Sequence, residues 1–277
     1  MFGVTLFIFP SRFIHDVIVK LDVSLDDTLG CGQAHRWKKH GDVWKGVLRN
    51  NIIEFKETEH GFVCSGTSDR RMILDYFRAD DDLDSIYREI STDPFMEKLV
   101  TGNHGLRILR QDPWECTATY LLATNANVGR IGTMVENVCV SSGRNLGGFY
   151  TFPTPDELLA HCDDICRCKL GYRDVRLLDL AHSVSDGELD LEGLRSADYM
   201  ECISALKTVK GIGDKVADCI ALFSYGHLEA FPIDARINKR LKEIYGLTGS
   251  YSTVSSAARE KFGRYGGYAQ EFLYHCI

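Results

Sequence analysis

The period of the apolar residues changes once along this chain, near Ser68, and that change limits the architectures open to it. Between Val17 and Cys64 the runs VIVKLDV, DVWKGVLRN, NIIEFKETE and GFVCSG alternate with period two, and Asn50-Asn51 and His60-Gly61 supply turn residues between them. From SDRRMILDYFR (68–78) onward the spacing becomes three and four, with Ser68 or Asp69 placed to cap the first helix. Strands come first and helices follow, which is the order of an α+β protein with an antiparallel sheet and not of alternating βαβ units. Asp112-Pro113 and Thr154-Pro155 each combine an N-cap residue with a proline in the first turn, while Gly171 and the acidic SVSDGELD mark breaks. The sequence therefore predicts a sheet domain with flanking helices over 1–100 and a helical body over 101–277.

Composition narrows the function classes. The 277 residues carry 32 basic and 39 acidic side chains, a net charge of −7, so a general polyanion-coating role is excluded and contact with nucleic acid has to be local. The apolar stretch Phe2 to Phe9 is shorter than the roughly 20 residues that cross a bilayer and follows no basic segment, so neither secretion nor membrane insertion is expected. Ten cysteines without a pair of CxxC motifs read as small buried hydrophobes in a reducing interior. One tight group, His161, Cys162, Cys166 and Cys168, lacks the usual zinc-ligand spacing and reads as an ordinary helical segment.

The most informative run is LKTVKGIGDKVADCIALFSYGHLEAFPIDARIN, 206–238, with a helix-hairpin-helix expected at about 203–224. Gly211 and Gly213 break one helix and permit a tight hairpin before the next begins at about Asp214. Backbone amides at such a helix start suit a nucleic-acid phosphate, and outward carbonyls of Lys207, Val209 and Ile212 can hold a monovalent cation bridging to it. Lys215 falls in the first turn of the second helix, where the positive end of the dipole is expected to lower its pKa toward use as a nucleophile. Asp234 follows the apolar AFPI and can both cap the helix ARINKRLKEIYG and stabilise a developing cation. A lone lysine is most often solvated; the pairing with an aspartate is what raises the signal.

This run resembles the helix-hairpin-helix motif of base-excision glycosylases, with Lys215 as the motif lysine and Asp234 as the motif aspartate. Beyond it the chain is similar to 8-oxoguanine DNA glycosylases at CGQAHRW (31–37), LRILRQDPWEC (106–116), TNANVGRI (124–131), KLGYR (169–173) and YGGYAQEFLYH (265–275), in the family's order. The resemblance implies a bifunctional glycosylase and β-lyase that acts on double-stranded DNA, prefers 8-oxoguanine opposite cytosine, works as a monomer and resides with DNA inside the cell. It further implies that the lysine amine attacks the sugar C1′ of an extruded nucleotide and that the resulting Schiff base permits strand cleavage.

For the lesion pocket it implies Cys219 against one face of the base, Tyr274 against the other, and Gln270 on the Watson-Crick edge. Gly32, bare of a side chain, would offer its carbonyl to the N7 hydrogen that 8-oxoguanine has and guanine lacks. Asn125 and Tyr172 match residues that enter the vacated stack, and Arg130 and Arg173 match those that read the orphaned base. Arg236, expected on a phosphate, stands where many relatives have His; Ala126 replaces a second Asn, and Tyr274 replaces Phe. The four-cysteine iron-sulfur pattern of some related glycosylases is absent, so no cluster and no required cofactor are expected. The competing readings are a monofunctional alkyl-purine glycosylase, against which Lys215 argues, and a non-catalytic helix-hairpin-helix DNA-binding protein, which has no use for Lys215, Asp234, Gly32 and Gln270 together.

Overall fold

The computed structural model describes residues 16–276, and the Phe2 to Phe9 stretch lies outside them. Five strands form one antiparallel sheet in the order β1-β5-β4-β3-β2: β1 Val17–Lys20, β2 Lys38–His40, β3 Val43–Leu48, β4 Asn51–Thr58 and β5 Gly61–Ser65. The turns sit one residue earlier than the sequence suggested. Leu48 pairs with Asn51 and Thr58 with Gly61, so the connections are Arg49-Asn50, both at positive φ, and Glu59-His60. Two-residue hairpins of this kind match the twist of the strands they join. The period-two alternation missed β2, which is three exposed residues, and the short helix α1, Leu25–Gly30, capped by Ser24.

Asp69 caps α2 (Arg70–Tyr76) through the Met72 amide. Then follow α3 (Leu83–Ile90), α4 (Pro94–Gly102), α5 (Pro113–Leu122, capped by Asp112), α6 (Val128–Ser142, capped by Asn127) and α7 (Pro155–Ala160, with a capping box from Thr154 and Glu157). The remaining helices are α8 (Cys162–Ile165), α9 (Arg173–Ser185), α10 (Tyr199–Leu206), α11 (Asp214–Ile220), α12 (Ala235–Tyr245), α13 (Tyr251–Phe262) and α14 (Gly266–His275). A single π turn, Ala221–Tyr225, continues α11 and ends at Gly226 in the left-handed region. No helix among the described residues is long and apolar enough to cross a membrane.

Two apolar cores result. One side of the sheet buries Val19, Ile53, Phe55 and Phe62 against Leu25 and Leu29 of α1 and Met72, Ile73 and Phe77 nearby. The larger core joins α3 and α4 to the helices that follow, with Phe231, Phe262, Tyr268 and Phe272 among its buried rings. Each such ring contributes roughly 2 to 3 kcal/mol by leaving water. The extended segment 106–110 is shared: Leu106 and Ile108 enter the helical core, and Leu109 enters that of the sheet. Buried Gln33 ties the loop after α1 to this segment, donating from Nε2 to the carbonyls of Thr28 (2.9 Å) and Arg107 (2.8 Å) and accepting from the Leu109 amide (2.8 Å). Its own carbonyl accepts from Gln111 Nε2 (2.7 Å) and Tyr120 Oη (3.1 Å). The segment that carries Gly32 is thereby fixed on the helical body.

Candidate active site and nucleic-acid interface

A cavity of about 280 Å³ opens between that loop and helices α5, α6, α11 and α14. Its lining includes Gly32, Lys215, Cys219, Asp234, Gln270 and Tyr274, so the structure gathers residues that the sequence spreads over more than 240 positions into one space. Ala126 lines it as well. Gln270 is 5% exposed, with an Oε1 that has no hydrogen-bond partner, so it is a buried amide of the cavity wall.

Gly32 has φ +97°, and an added Cβ there would meet only Val128 at 3.7 Å and Tyr274 at 4.0 Å. Those are ordinary contacts, so the backbone conformation and not steric crowding is what requires glycine. Tyr274 carries the Arg236 guanidinium over its ring at 5.0 Å, which places Arg236 at the mouth of the cavity.

The hairpin forms as expected between α10 and α11. Gly211 has φ +104°, and a Cβ there would come within 2.9 Å of Arg176 and 3.0 Å of Leu121, so both conformation and space demand glycine. Gly213 is the N-cap of α11 and leaves its first-turn amides without a side-chain partner, while Lys207 bonds the Asp214 carboxylate across the turn. The Val209 carbonyl accepts the Ile212 amide at 3.0 Å, which closes the turn.

Lys215 begins α11 and Asp234 begins α12, where its carboxylate accepts the Ile237 amide at 2.8 Å. The cap therefore fixes a carboxylate that lines the cavity, so the capping role read for Asp234 is observed. The pKa of Lys215 departs from expectation. It is raised, by Cys219 one turn on, against the opposing effect of burial, with Asp234 and Tyr274 adding to the rise. With its pKa raised, the Lys215 amine is an ammonium at neutral pH. Burial pushes the Cys219 thiol up to about 11 despite the pull of Lys215.

Three residues that the sequence reading left without a role also shape this site. Tyr120 lies under the Lys215 amine, 5.6 Å from ring centre to Nζ, and stacks on Phe223. His35 lines the cavity and is held neutral, its pKa pushed down to about 4 by burial and then by Lys215. Glu271 lines it beside Gln270. His35 and Glu271 fall inside the motif blocks CGQAHRW and YGGYAQEFLYH, but no chemistry could be attached to them without a pocket.

Of the residues expected at the opposite strand, Asn125, Tyr172 and Arg173 are in mutual contact apart from the cavity lining. Tyr172 is 48% exposed, and its hydroxyl accepts from Asn125 Nδ2 at 3.3 Å. Arg173 and Arg176 place guanidinium groups 4.5 and 4.6 Å from the Tyr172 ring centre. Arg130 is exposed in the first turn of α6. Arg173, by contrast, is 3% exposed. Its fork donates to the carbonyls of Thr124 (from Nε, 3.0 Å), Leu170 (3.1 Å) and Asn125 (3.3 Å). Asn125 and Lys169 take positive φ beside these carbonyls, and the buried cation ties the two loops together. In this conformation Arg173 positions Asn125 and Tyr172, leaving Arg130 the exposed arginine of the expected pair.

The group at 161–168 does not converge. Cys162 and Cys166 are exposed, Cys168 donates to the Asn137 and Asp164 carbonyls at 3.5 and 3.3 Å, and no cluster of three potential ligands occurs among the described residues.

Comparison with known proteins matches residues 17–117 to the family described as "8-oxoguanine DNA glycosylase, N-terminal domain". The chain is 31% identical to "N-glycosylase/DNA lyase OGG1" of Arabidopsis thaliana over 96% of its own length and 79% of that protein's. It superposes with TM-score 0.87 and 31% identity on the 8-oxoguanine glycosylase/lyase of Clostridium acetobutylicum in complex with duplex DNA containing cytosine opposite 8-oxoguanine, covering 92% of each chain. A 3-methyladenine DNA glycosylase from Archaeoglobus fulgidus shares the fold alone, at 20% identity and TM-score 0.76 over 94% of this chain and 96% of that one.

Proposed function

The chain belongs to the 8-oxoguanine DNA glycosylase family, and from that membership we propose that it excises 8-oxoguanine from double-stranded DNA and then cleaves the strand. The observation that carries this reading is the convergence of Lys215, Asp234, Cys219, Gly32, Gln270 and Tyr274 on one cavity of about 280 Å³. A base cannot be reached inside a duplex, so it is extruded into this space, where Cys219 and Tyr274 flank its faces. The Gly32 carbonyl accepts the N7 hydrogen of 8-oxoguanine and repels the lone pair of guanine, and Gln270 bonds the Watson-Crick edge.

Lys215 has to shed its proton as the base enters. Its amine then forms a bond to C1′ while the glycosidic bond breaks and its electron pair leaves with the purine; the Asp234 carboxylate stabilises the positive charge that develops on the sugar. Cleavage of the C1′–O4′ bond, with a proton from the amine passing to O4′, opens the sugar to a lysine Schiff base, and loss of a C2′ proton then expels the 3′ phosphate by β-elimination. Hairpin amides around Gly211 and Gly213 and the side chain of Arg236 hold the bent backbone. A monovalent cation on the carbonyls of Lys207, Val209 and Ile212 would add positive charge at the same phosphate.

On the other strand, Asn125 and Tyr172 fill the gap and Arg130 donates to the orphaned base. Cytosine offers O2 and N3 as adjacent acceptors, whereas adenine sets a donor beside N1, so cytosine is the preferred partner. A monomer acting with DNA inside the cell completes the reading. Incubation with duplexes carrying 8-oxoguanine or 3-methyladenine tests it: release of 8-oxoguanine with a cut strand is expected. Release of 3-methyladenine with an intact strand would favour the monofunctional alternative instead.

A further inference from the structure

Glu271 is a carboxyl that neither the fold nor the mechanism above employs. It is 3% exposed, lines the base cavity from α14, and its Oε2 has no hydrogen-bond partner. The thiol beside it, Cys31, donates to the Thr28 carbonyl at 3.4 Å and also lies within hydrogen-bonding reach of the Glu271 carboxyl, which leaves Oε2 as the unpaired oxygen, while His275, one turn along α14, pairs with Asp27 at 2.9 Å. A buried polar oxygen without a donor is unfavourable by itself, so its presence in a cavity calls for a ligand that completes it. Gln270 Oε1, adjacent in sequence and in the same cavity, is also without a partner. The Gly32 carbonyl and the Asp234 carboxylate add further acceptors to the same cavity.

Such a lining selects a base rich in donors. 8-Oxoguanine has N1–H, the N2 amino group and N7–H; adenine presents an acceptor at N1 and N7 and a donor only at N6. We propose that Glu271 is a specificity-determining residue of the base pocket, its carboxylate accepting a hydrogen bond from the extruded 8-oxoguanine beside the contact made by Gln270. The proposal rests on the glycosylase reading above.

The protonation of Glu271 supplies a signature. Burial pushes its pKa up to about 7, while Cys31, His275 and Lys215 favour the charged form and Asp234 opposes it. Tyr120 from α5, and Cys219 on the face of α11 that carries Lys215, are neutral around this value, with pKa values raised by burial. The carboxylate therefore predominates above about pH 7, and below it the group is a neutral acid and a weaker acceptor.

The test compares wild type, Glu271→Gln and Glu271→Met in single turnover on an 8-oxoguanine duplex and on a duplex with a preformed abasic site, which offers no base to read. At about pH 8 the ratio of excision to abasic-site cleavage should fall about tenfold for Glu271→Met and less for Glu271→Gln, which keeps an amide oxygen. Near pH 6 the wild-type ratio should approach that of Glu271→Gln. Unchanged or raised ratios in both variants, or equal losses on both substrates, would overturn the role of Glu271. A wild-type chain that cleaves abasic DNA but releases no 8-oxoguanine would instead overturn the glycosylase reading itself.

Discussion

The base cavity and the wedge at the opposite strand are built in contrary ways. In the cavity, polar groups are buried, and Gln270 and Glu271 each hold an oxygen without a hydrogen-bond partner. At the wedge, Asn125, Arg130 and Tyr172 are exposed, and the buried member of the group, Arg173, is fully engaged with backbone carbonyls. Desolvated, prearranged groups act on the reacting bond with little reorganisation, whereas solvated ones contribute mainly to docking and discrimination. Substitutions in the cavity should accordingly lower the rate of chemistry, and those at the wedge should alter partner choice and binding.

The largest effect is expected for Lys215→Gln, which removes the amine but leaves the hairpin and wedge. Excision and strand cleavage should both fall by about a thousandfold or more while duplex affinity changes little, measured by single-turnover cleavage and fluorescence anisotropy. Asp234→Asn keeps a cap on α12 but removes the charge, so excision should fall about a hundredfold while thermal stability changes by only about 1 kcal/mol. A collapse of stability with little loss of rate would reduce Asp234 to a structural cap and erase one side of the contrast.

The comparison is sharpened by Gln270→Ala, for which excision of 8-oxoguanine should fall about tenfold further than cleavage at a preformed abasic site. Equal losses on both would make Gln270 a support of the fold. At the wedge, Arg130→Met should narrow the cytosine-over-adenine preference by about 1 to 3 kcal/mol, chiefly by raising relative activity opposite adenine. If wild type did not distinguish cytosine from adenine in single turnover, Arg130 would be a phosphate contact.

The α+β order, the main helix starts at Asp69, Asp112, Thr154 and Asp234, and the glycine hairpin were legible because each depends on local spacing and capping chemistry. Lys215 and Asp234 stood out by their pairing, whereas Gly32, Cys219, Gln270 and Tyr274 were legible only through the family resemblance, being remote in sequence or unremarkable alone. Features that depend on surroundings were not. The raised pKa of Lys215 reflects Cys219 and Asp234 across space, and Arg173 looked available because nothing in KLGYR reports that Thr124 and Asn125 turn their carbonyls toward it. Gln33 likewise became a tie between two segments only once Thr28, Arg107 and Leu109 surrounded it.

The central claim is that the Lys215 amine forms the bond to C1′ of the excised nucleotide. Borohydride reduction during reaction with an 8-oxoguanine duplex, followed by peptide mapping of the adduct, addresses it directly, because only an imine is converted into a stable amine. The account predicts a covalent protein–DNA complex with the sugar remnant on Lys215, and none with Lys215→Gln. Base release by wild type without a trapped complex, or an adduct on another residue, would contradict it.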